Sequence, residues 1–178
     1  EREGEIDDWD VVFKSVPAAR MIGIREICPG FERGMEMVFE LHRVIRPAAD
    51  VGVLGNFMAV NYDEGFQMED IDVAMGFAVQ RPFDRPLEVL GQTVQAIELP
   101  AEETMAVVVR NGPPDEAHLV TVPLARYMEE RGYHISGPVR EVFLKMPAPN
   151  RPQDAVVEMQ FPVRSDPASS ITRPLADE

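Results

Sequence analysis

An internal repeat constrains the fold of this 178-residue chain more than any other feature. The segment VPA at 16–18 returns as LPA at 99–101, and FAV at 77–79 returns as FPV at 161–163, with offsets of 83 and 84 residues. Each half also shows the same order of elements, a bend followed by a strand, a turn, a helix and a hairpin. Few residues are identical, so the shared order of elements is what indicates a duplicated βαββ unit.

The hydrophobic spacing predicts the individual elements. In the first half we expect one bent strand or two short strands over 10–27, and then a helix that begins at Phe31 and is stopped by Pro47. In the second half a helix follows the turn at 112–115, and Pro123 is expected to split it. The remaining predicted strands are 55–62, 71–80, 93–99, 104–111, 138–146 and 155–163.

The repeat predicts an α+β fold made of duplicated βαββ units with pseudo-twofold symmetry. If the helix of each unit covers one face of its sheet, the other two sheet faces are free to meet. We therefore expect antiparallel sheets that form a central ligand groove, with the helices on the outer faces. The predicted organisation is an N-terminal extension (1–9), the domain (10–163, with repeats at about 10–80 and 92–163) and a disordered tail (164–178).

One carboxylate interrupts the apolar strand at 137–144. Alternation along this strand places Glu141 and Phe143 on one face, and Val142 and Leu144 on the other, which is suited to a core. A carboxylate beside an aromatic ring suits a flat, cationic ligand. The alternative is a carboxylate on the solvated face of an antiparallel strand, and alternation alone leaves it open.

The repeat places Glu141 near the pseudo-twofold axis, at the position equivalent to Phe57. Burying a carboxylate without a partner costs on the order of several kcal/mol. We therefore expect Glu141 to have a raised pKa in the empty pocket and to be either protonated or paired with a cationic ligand. Phe57, Phe143 and Tyr62 are candidate aromatic walls, with plain core packing as the alternative for each, and Glu158 is a lower-ranked candidate for the same groove.

Composition excludes several classes of function. With 31 acidic and 17 basic residues the formal net charge is −14, so this chain itself is not expected to contact nucleic acid. Its apolar runs are too short for a membrane span. The single cysteine, Cys28, excludes an intrachain disulfide, and with no secretion signal at the start a cytoplasmic location is expected.

No motif of metal, cofactor or nucleophilic chemistry is present. His42, His118 and His134 lack metal-ligand spacing, and the chain contains no HExxH, GxGxxG, phosphate-binding loop or GxSxG elbow. We therefore predict no metal, no cofactor and no assigned catalytic residue. The expected partner is a small molecule.

Three segments occur together in a familiar order: DVVFKSVPAARMIGIRE at 10–26, NFMAVNYDEGFQMEDIDVAMGFAV at 56–79, and GPVREVFLKMPAPNRPQDAVVEMQFPV at 137–163. In this order they resemble the GyrI-like effector-binding domain of MerR- and AraC-type transcription regulators. The opening EREGEIDDWDVVFK is similar to the junction after the dimerising helix of MerR-type regulators. That resemblance implies a DNA-binding domain ahead of this segment in a longer chain, although a free-standing protein stays an alternative.

The resemblance implies a domain that binds lipophilic, often cationic compounds, with a buried glutamate at the position of Glu141. Phe143 stands where the family often has tyrosine, Asn61 stands where tyrosine is common, and Ala74 stands where glutamate is common. These departures keep the glutamate, but they change the aromatic residues around it. Asn61 is therefore included among the candidate ligand-binding residues.

Three functions are compatible with this sequence. The first is a sensor domain of a bacterial transcription regulator, in which a ligand shifts the conformation of an attached DNA-binding domain. The second is a hydrolase of reactive small molecules, which the resemblance also allows, in which Glu141 would activate water beside an aromatic hydroxyl. Phe143 lacks that hydroxyl, and Tyr62 or Tyr127 would have to supply it. The third is a free-standing interaction or inhibitor module that docks a partner through its acidic surface.

Overall fold

The computed structural model describes residues 10–167. The predicted extension at 1–9 and most of the predicted tail lie outside the described residues, whereas Arg164 and Ser165, which the prediction assigned to the tail, belong to the last strand. Within the described range the elements are β1 Val12–Val16, β2 Ala19–Cys28, α1 Phe31–Ala48, β3 Leu54–Asn61, β4 Ile71–Val79, β5 Glu88–Val89, β6 Gln92–Thr93, β7 Gln95–Leu99, β8 Glu102–Asn111, α2 His118–Glu130, β9 Tyr133–Ile135, β10 Val139–Lys145 and β11 Val156–Ser165.

One antiparallel sheet of nine strands spans both halves of the chain, in the order β1-β8-β11-β10-β3-β4-β2-β7, with β9 paired to β11. The two short strands β5 and β6 form a separate hairpin. The predicted α+β fold is confirmed. The prediction of separate sheets that meet across a groove differs from the structure, because β3 and β10 pair directly and join the two halves edge to edge.

The first strand of each half pairs with the other half. β1 precedes β2 in the chain but pairs with β8, and β7 precedes β8 but pairs with β2. Each of these two strands ends at a proline bend, β1 at 17–18 and β7 at 100–101. The missing N–H of proline favours the end of a strand at these positions. The strand order is therefore unchanged when the halves are exchanged, as a duplication would produce, and the duplication itself stays a prediction.

Both helices pack on the same face of the sheet, instead of on two outer faces as predicted. Their buried side chains recur at helical spacing and belong to a single core cluster with the sheet residues Phe57, Phe143 and Phe161. The buried helical residues are Met37, Val38, Leu41 and Ile45 in α1 and Val120, Leu124 and Met128 in α2. No helix in the described part of the chain is long and apolar enough to cross a lipid bilayer.

The two helix-breaking prolines have less effect than predicted. Pro47 is the penultimate residue of α1, where a missing N–H removes only a hydrogen bond of the last turn. Pro123 lies within α2, which continues through it instead of splitting. Because proline has no N–H, the carbonyl group of Leu119 loses its helical hydrogen bond. Leu119 is exposed, so this carbonyl group does not lie in the core.

The main core lies on the opposite face of β10 from the one predicted. Phe143 is 6% exposed, whereas Leu144 is 51% exposed. The prediction that the Val142 and Leu144 face would form the core is therefore wrong, because both helices cover the Glu141 face. Val142 packs instead against a smaller cluster on the uncovered face of the sheet.

A pair of glycines brings β2 and β4 close together. Gly23 and Gly76 are direct partners in the ladder. A Cβ atom added to Gly76 would lie 1.8 Å from the carbonyl oxygen of Ile22, and one added to Gly23 would lie 1.8 Å from that of Met75. Side chains at these two positions would therefore force the strands apart.

Candidate ligand-binding site

Glu141 is the single charged residue in a row of neighbours across the centre of the sheet. Its ladder partners are Ala59 on β3 and Met159 on β11. The row continues through Met75 to Ile24 on one side and to Val108 on the other. Because the five neighbours are apolar, none of them offers a partner to the Glu141 carboxylate.

A cavity of about 780 Å³ lies over this row, between the two helices. Ala59, Glu141, Phe143 and Met159 lie on its sheet side. The helices and the β3–β4 loop supply the other sides, with Phe31, Gly34, Met35 and Val38 from α1, Thr121, Ala125 and Glu129 from α2, and Asp63 to Gln67 from the loop. Both the volume and the mixture of apolar walls with a few polar groups suit a small-molecule site.

Burial perturbs the Glu141 carboxylate. The side chain is 21% exposed, and because Glu141 lines the cavity this surface borders the cavity. Desolvation raises the pKa of Glu141, and the nearby Arg110 guanidinium offsets only part of this effect. The direction of this shift agrees with the raised pKa predicted from the sequence.

Arg110 is a functional candidate that the sequence reasoning missed. Its Nη2 atom lies 3.7 Å from Oε1 of Glu141, and its side chain is only 6% exposed. The Nη1 atom donates to the carbonyl oxygens of Gly112 and Pro113, at 3.2 and 2.9 Å. Alternation along β8 puts Arg110 on the same face as Val108. Its distance from Glu141 depends on how β8 pairs with β11 and β11 with β10, and no local sequence pattern predicts that register.

The ionisable groups around the cavity are mostly acidic. Among the described lining residues, four are carboxylates and one is an arginine: Asp63, Glu64, Glu129 and Glu141 against Arg164. A low-dielectric cleft lined mainly by one sign of charge favours ligands of the opposite sign. The lining therefore favours cations.

Three phenylalanines supply aromatic surface to the cavity. Phe143 lies beside Glu141 on β10, as predicted. Phe31 and Phe66 stack on each other with centroids 6.0 Å apart and an interplanar angle of 23°. Neither is among the residues predicted for the site, because Phe31 follows the apolar spacing of α1 and Phe66 lies in the polar loop between β3 and β4.

The other predicted aromatic residues have different positions. Phe57 is buried beneath the cavity, edge-on to Phe143 at a centroid distance of 5.6 Å, and does not line it. Tyr62 borders the cavity, but the Arg25 guanidinium covers its ring at 3.6 Å from the centroid. Asn61 lines the cavity on the Glu141 face, and its Oδ1 accepts a hydrogen bond from the backbone N–H of residue 63.

Glu158 does not reach the cavity. It lies on the opposite face of β11, where Lys14 Nζ donates to its Oε1 at 3.0 Å and Gln160 donates at 2.8 Å. Burial favours a higher pKa for Glu158, but these two hydrogen bonds outweigh it and lower the pKa. The structure therefore separates Glu158 from the other predicted site residues.

Cys28 lines the cavity but is not an activated nucleophile. Burial raises the pKa of its thiol to about 11, and the neighbouring Glu26 carboxylate adds to that shift. Its Sγ lies 3.2 Å from Sδ of Met37. Such a thiol is almost entirely protonated at neutral pH.

Each of the three histidines contacts another side chain of the domain, and His134 also lines the cavity. His42 packs against the ring of Phe77, His118 packs against Phe66, and His134 is hydrogen-bonded to Asp166 at 2.6 Å. Within residues 10–167 no group of three or more metal-ligating side chains is suitably placed for an ion.

A family model for GyrI-like small molecule binding domains matches residues 10–164. The chain belongs to this family. No curated protein sequence matches the chain significantly.

Several solved structures share this GyrI-like fold. The EcmrR C-terminal domain is 20% identical, with a TM-score of 0.72 over 89% of this chain and 99% of that one. A hydrolase encoded by lin2189 from Listeria innocua is 16% identical (TM-score 0.58, 86% and 91% covered). SAV2435 bound to tetraphenylphosphonium is 13% identical (TM-score 0.51, 87% and 94% covered). At these identities the likeness establishes the fold alone.

EcmrR has also been solved in a complex with DNA. That match has 19% identity and a TM-score of 0.72, and it covers 88% of this chain. This chain spans 58% of the length of the EcmrR chain in the complex.

Proposed function

We propose that this GyrI-like domain is the effector-binding module of a bacterial transcription regulator, and that it binds a lipophilic cation between α1 and α2 through Glu141. The observation that carries the proposal is the place of Glu141, a carboxylate in an apolar row that borders a cavity of about 780 Å³. Burying this carboxylate is unfavourable in the absence of a ligand. A bound cation would restore the electrostatic stabilisation that the carboxylate loses when it is buried.

The rest of the lining supports a ligand that is cationic and aromatic or bulky. The lining carboxylates outnumber the one lining arginine, and Phe31, Phe66 and Phe143 offer apolar and aromatic contact. A cation over such a ring gains about 0.5–2 kcal/mol. Tetraphenylphosphonium, which is bound by the similarly folded SAV2435, is a cation of this class.

The regulatory part of the proposal is supported by the likeness to EcmrR. Its C-terminal domain shares this fold over nearly its whole length, and the longer EcmrR chain forms a complex with DNA. A ligand that binds one conformation of the domain more tightly shifts the population towards that conformation. In a longer chain, that shift would alter an attached DNA-binding domain, whereas the acidic module itself does not contact DNA.

Hydrolysis of a bound compound is the second candidate. The fold is shared with the lin2189 hydrolase, and a glutamate with a raised pKa is suited to accept a proton from water. Two features weigh against it. Phe143 carries no hydroxyl beside Glu141, and the ring of Tyr62 is already stacked under Arg25.

A pair of ions of matched shape tests the proposal. Tetraphenylphosphonium and tetraphenylborate have the same shape and opposite charge, so they separate charge recognition from apolar binding. We expect the phosphonium ion to raise the melting temperature and to bind with 1:1 stoichiometry in calorimetry, and the borate ion to do neither. At a ligand concentration of 100 times Kd, the expected stabilisation is about 2.7 kcal/mol.

The other outcomes select among the alternatives. Equal binding of both ions would overturn recognition by charge. Time-dependent consumption of a bound ester or epoxide, followed by mass spectrometry, would favour the hydrolase. No binding of any lipophilic cation would overturn the proposal and favour the interaction module.

A further inference from the structure

We propose that Arg110 determines ligand specificity as an internal counter-ion of Glu141, so that the site prefers cations with N–H donors over permanent cations without them. This inference rests on the proposed function, because it names the class of cation that the same cavity selects. Arg110 itself does not line the cavity, and it lies outside the three sequence segments that carry the family resemblance.

Arg110 is held in place independently of any ligand. Its two Nη1 hydrogen bonds, to the carbonyl oxygens of Gly112 and Pro113, tie the guanidinium to the segment before α2. Its side chain is 6% exposed, so the charge next to Glu141 is permanent and poorly screened by solvent. A ligand in the cavity therefore meets a carboxylate that already has a positive neighbour.

The ion pair is incomplete. Nη2 lies 3.7 Å from the Glu141 oxygen, beyond hydrogen-bond distance, so the two planar groups do not form a bidentate pair. Nε of Arg110 is the one buried side-chain nitrogen or oxygen in residues 10–167 without a hydrogen bond. Arg110 thus offsets the charge of Glu141 but does not occupy its hydrogen-bonding capacity.

These two facts separate two kinds of cation. A quaternary ammonium or phosphonium ion is held away from the carboxylate by its own substituents, and at that distance the charge of Arg110 opposes its attraction to Glu141. A protonated primary or secondary amine approaches to hydrogen-bond distance, and a charge-assisted N–H···O bond is short and strong. The amine therefore keeps most of its binding energy beside Arg110, whereas the quaternary ion loses much of it.

Two naphthalene probes share the same ring and the same charge, but one nitrogen carries N–H donors and the other carries methyl groups: (2-naphthylmethyl)ammonium and (2-naphthylmethyl)trimethylammonium. Because the methyl groups also change size, the test is how the ratio of the two affinities changes between wild type and variant. We expect the ammonium probe to bind the wild-type protein at least about fivefold more tightly. Arg110→Gln removes the charge and keeps a polar side chain that can donate hydrogen bonds. The affinity of the trimethylammonium probe should then rise about tenfold, and that of the ammonium probe should rise less.

Two variants control for charge and for the number of arginines. Arg110→Lys keeps the charge and should keep the wild-type preference. Arg43→Met removes an exposed arginine that pairs with Glu40 on α1 and should leave both affinities unchanged. An unchanged ratio of the two affinities in Arg110→Gln would overturn the role of Arg110, whether or not both affinities change together.

A measurement without ligand keeps the test decisive if neither probe binds. Absence of binding to wild type would contradict the proposed function. The role of Arg110 as counter-ion is tested separately, by titration of the Glu141 side-chain carboxyl group in carbon-13 NMR. Removing the positive charge in Arg110→Gln should raise the Glu141 pKa above its wild-type value. An unchanged Glu141 pKa would contradict the pairing, and Arg110→Met provides the same comparison if the glutamine variant does not fold.

Discussion

Glu141→Gln is expected to weaken binding of (2-naphthylmethyl)ammonium by about 2 kcal/mol, roughly thirtyfold in Kd. Glutamine has nearly the shape of glutamate, so the cavity and its apolar contacts remain. The substitution removes the negative charge and replaces a charge-assisted hydrogen bond with a neutral one. Because the carboxylate is mostly buried at the cavity wall, losing its charge has a larger effect than the same change on the surface.

The chain contains a matched control for this experiment. Glu158→Gln makes the same chemical change on the neighbouring strand, but on the opposite face of the sheet, where Glu158 pairs with Lys14. Calorimetry should show less than about a twofold change in Kd for this variant. Equal effects of the two substitutions would indicate that the probe senses the general acidity of the domain, and Glu141 would lose its assigned role.

Gly76→Ala is expected to lower the free energy of unfolding by about 3 kcal/mol, at the upper end of the usual cost of overpacking. The added methyl group would lie 1.8 Å from the backbone oxygen of Ile22, so β2 and β4 must separate at their glycine pair. Backbone atoms within a ladder cannot rotate away as the end of a flexible side chain can. Urea denaturation followed by circular dichroism gives the change directly.

Gly34→Ala provides the comparison with the opposite sign. Gly34 lies within α1, and a Cβ atom there would lie 3.5 Å from Cε of Met75, an ordinary contact distance. Replacing a helical glycine by alanine stabilises a helix by about 1 kcal/mol. If Gly76→Ala were as stable as wild type while Gly34→Ala behaved as expected, the close approach of β2 and β4 would be contradicted.

The elements with strong periodicity were predictable from the sequence. Helical spacing located α1, and alternation located β3, β4, β8, β10 and β11 to within a few residues. The same alternation placed Glu141 and Phe143 on one face, which the cavity lining confirms. These predictions succeeded because they depend on local patterns.

The arrangement of the two halves was not predictable in the same way. A sheet with one apolar face can pack against a second sheet or extend at its edge, and the binary pattern is the same in both cases. The pairing of β3 with β10 joins the halves into one sheet and puts both helices on the Glu141 face. This difference reversed the expected core face of β10, and the candidate site is a cavity between helices instead of a groove between sheets.

Arg110 and Glu158 show why the register of the strands matters. Arg110 and Glu141 are 31 positions apart in sequence, and their proximity follows from two successive strand pairings, β8 with β11 and β11 with β10. Glu158 was assigned to the groove, but its alternation with Met159 and the pairing of Met159 with Glu141 put it on the other face. A shift of one residue in a strand exchanges its two faces, so such assignments need the full ladder.

The carboxyl titration of Glu141 by carbon-13 NMR, with and without a bound cation, tests the central claim most directly. We expect the pKa of Glu141 in the free protein to lie above that of an ordinary glutamate, because burial disfavours the charged form. Saturation with (2-naphthylmethyl)ammonium should lower this pKa, and by linkage the affinity for the cation should increase as the pH rises through the free-state value. An ordinary Glu141 pKa that is unchanged by saturating cation would contradict the account.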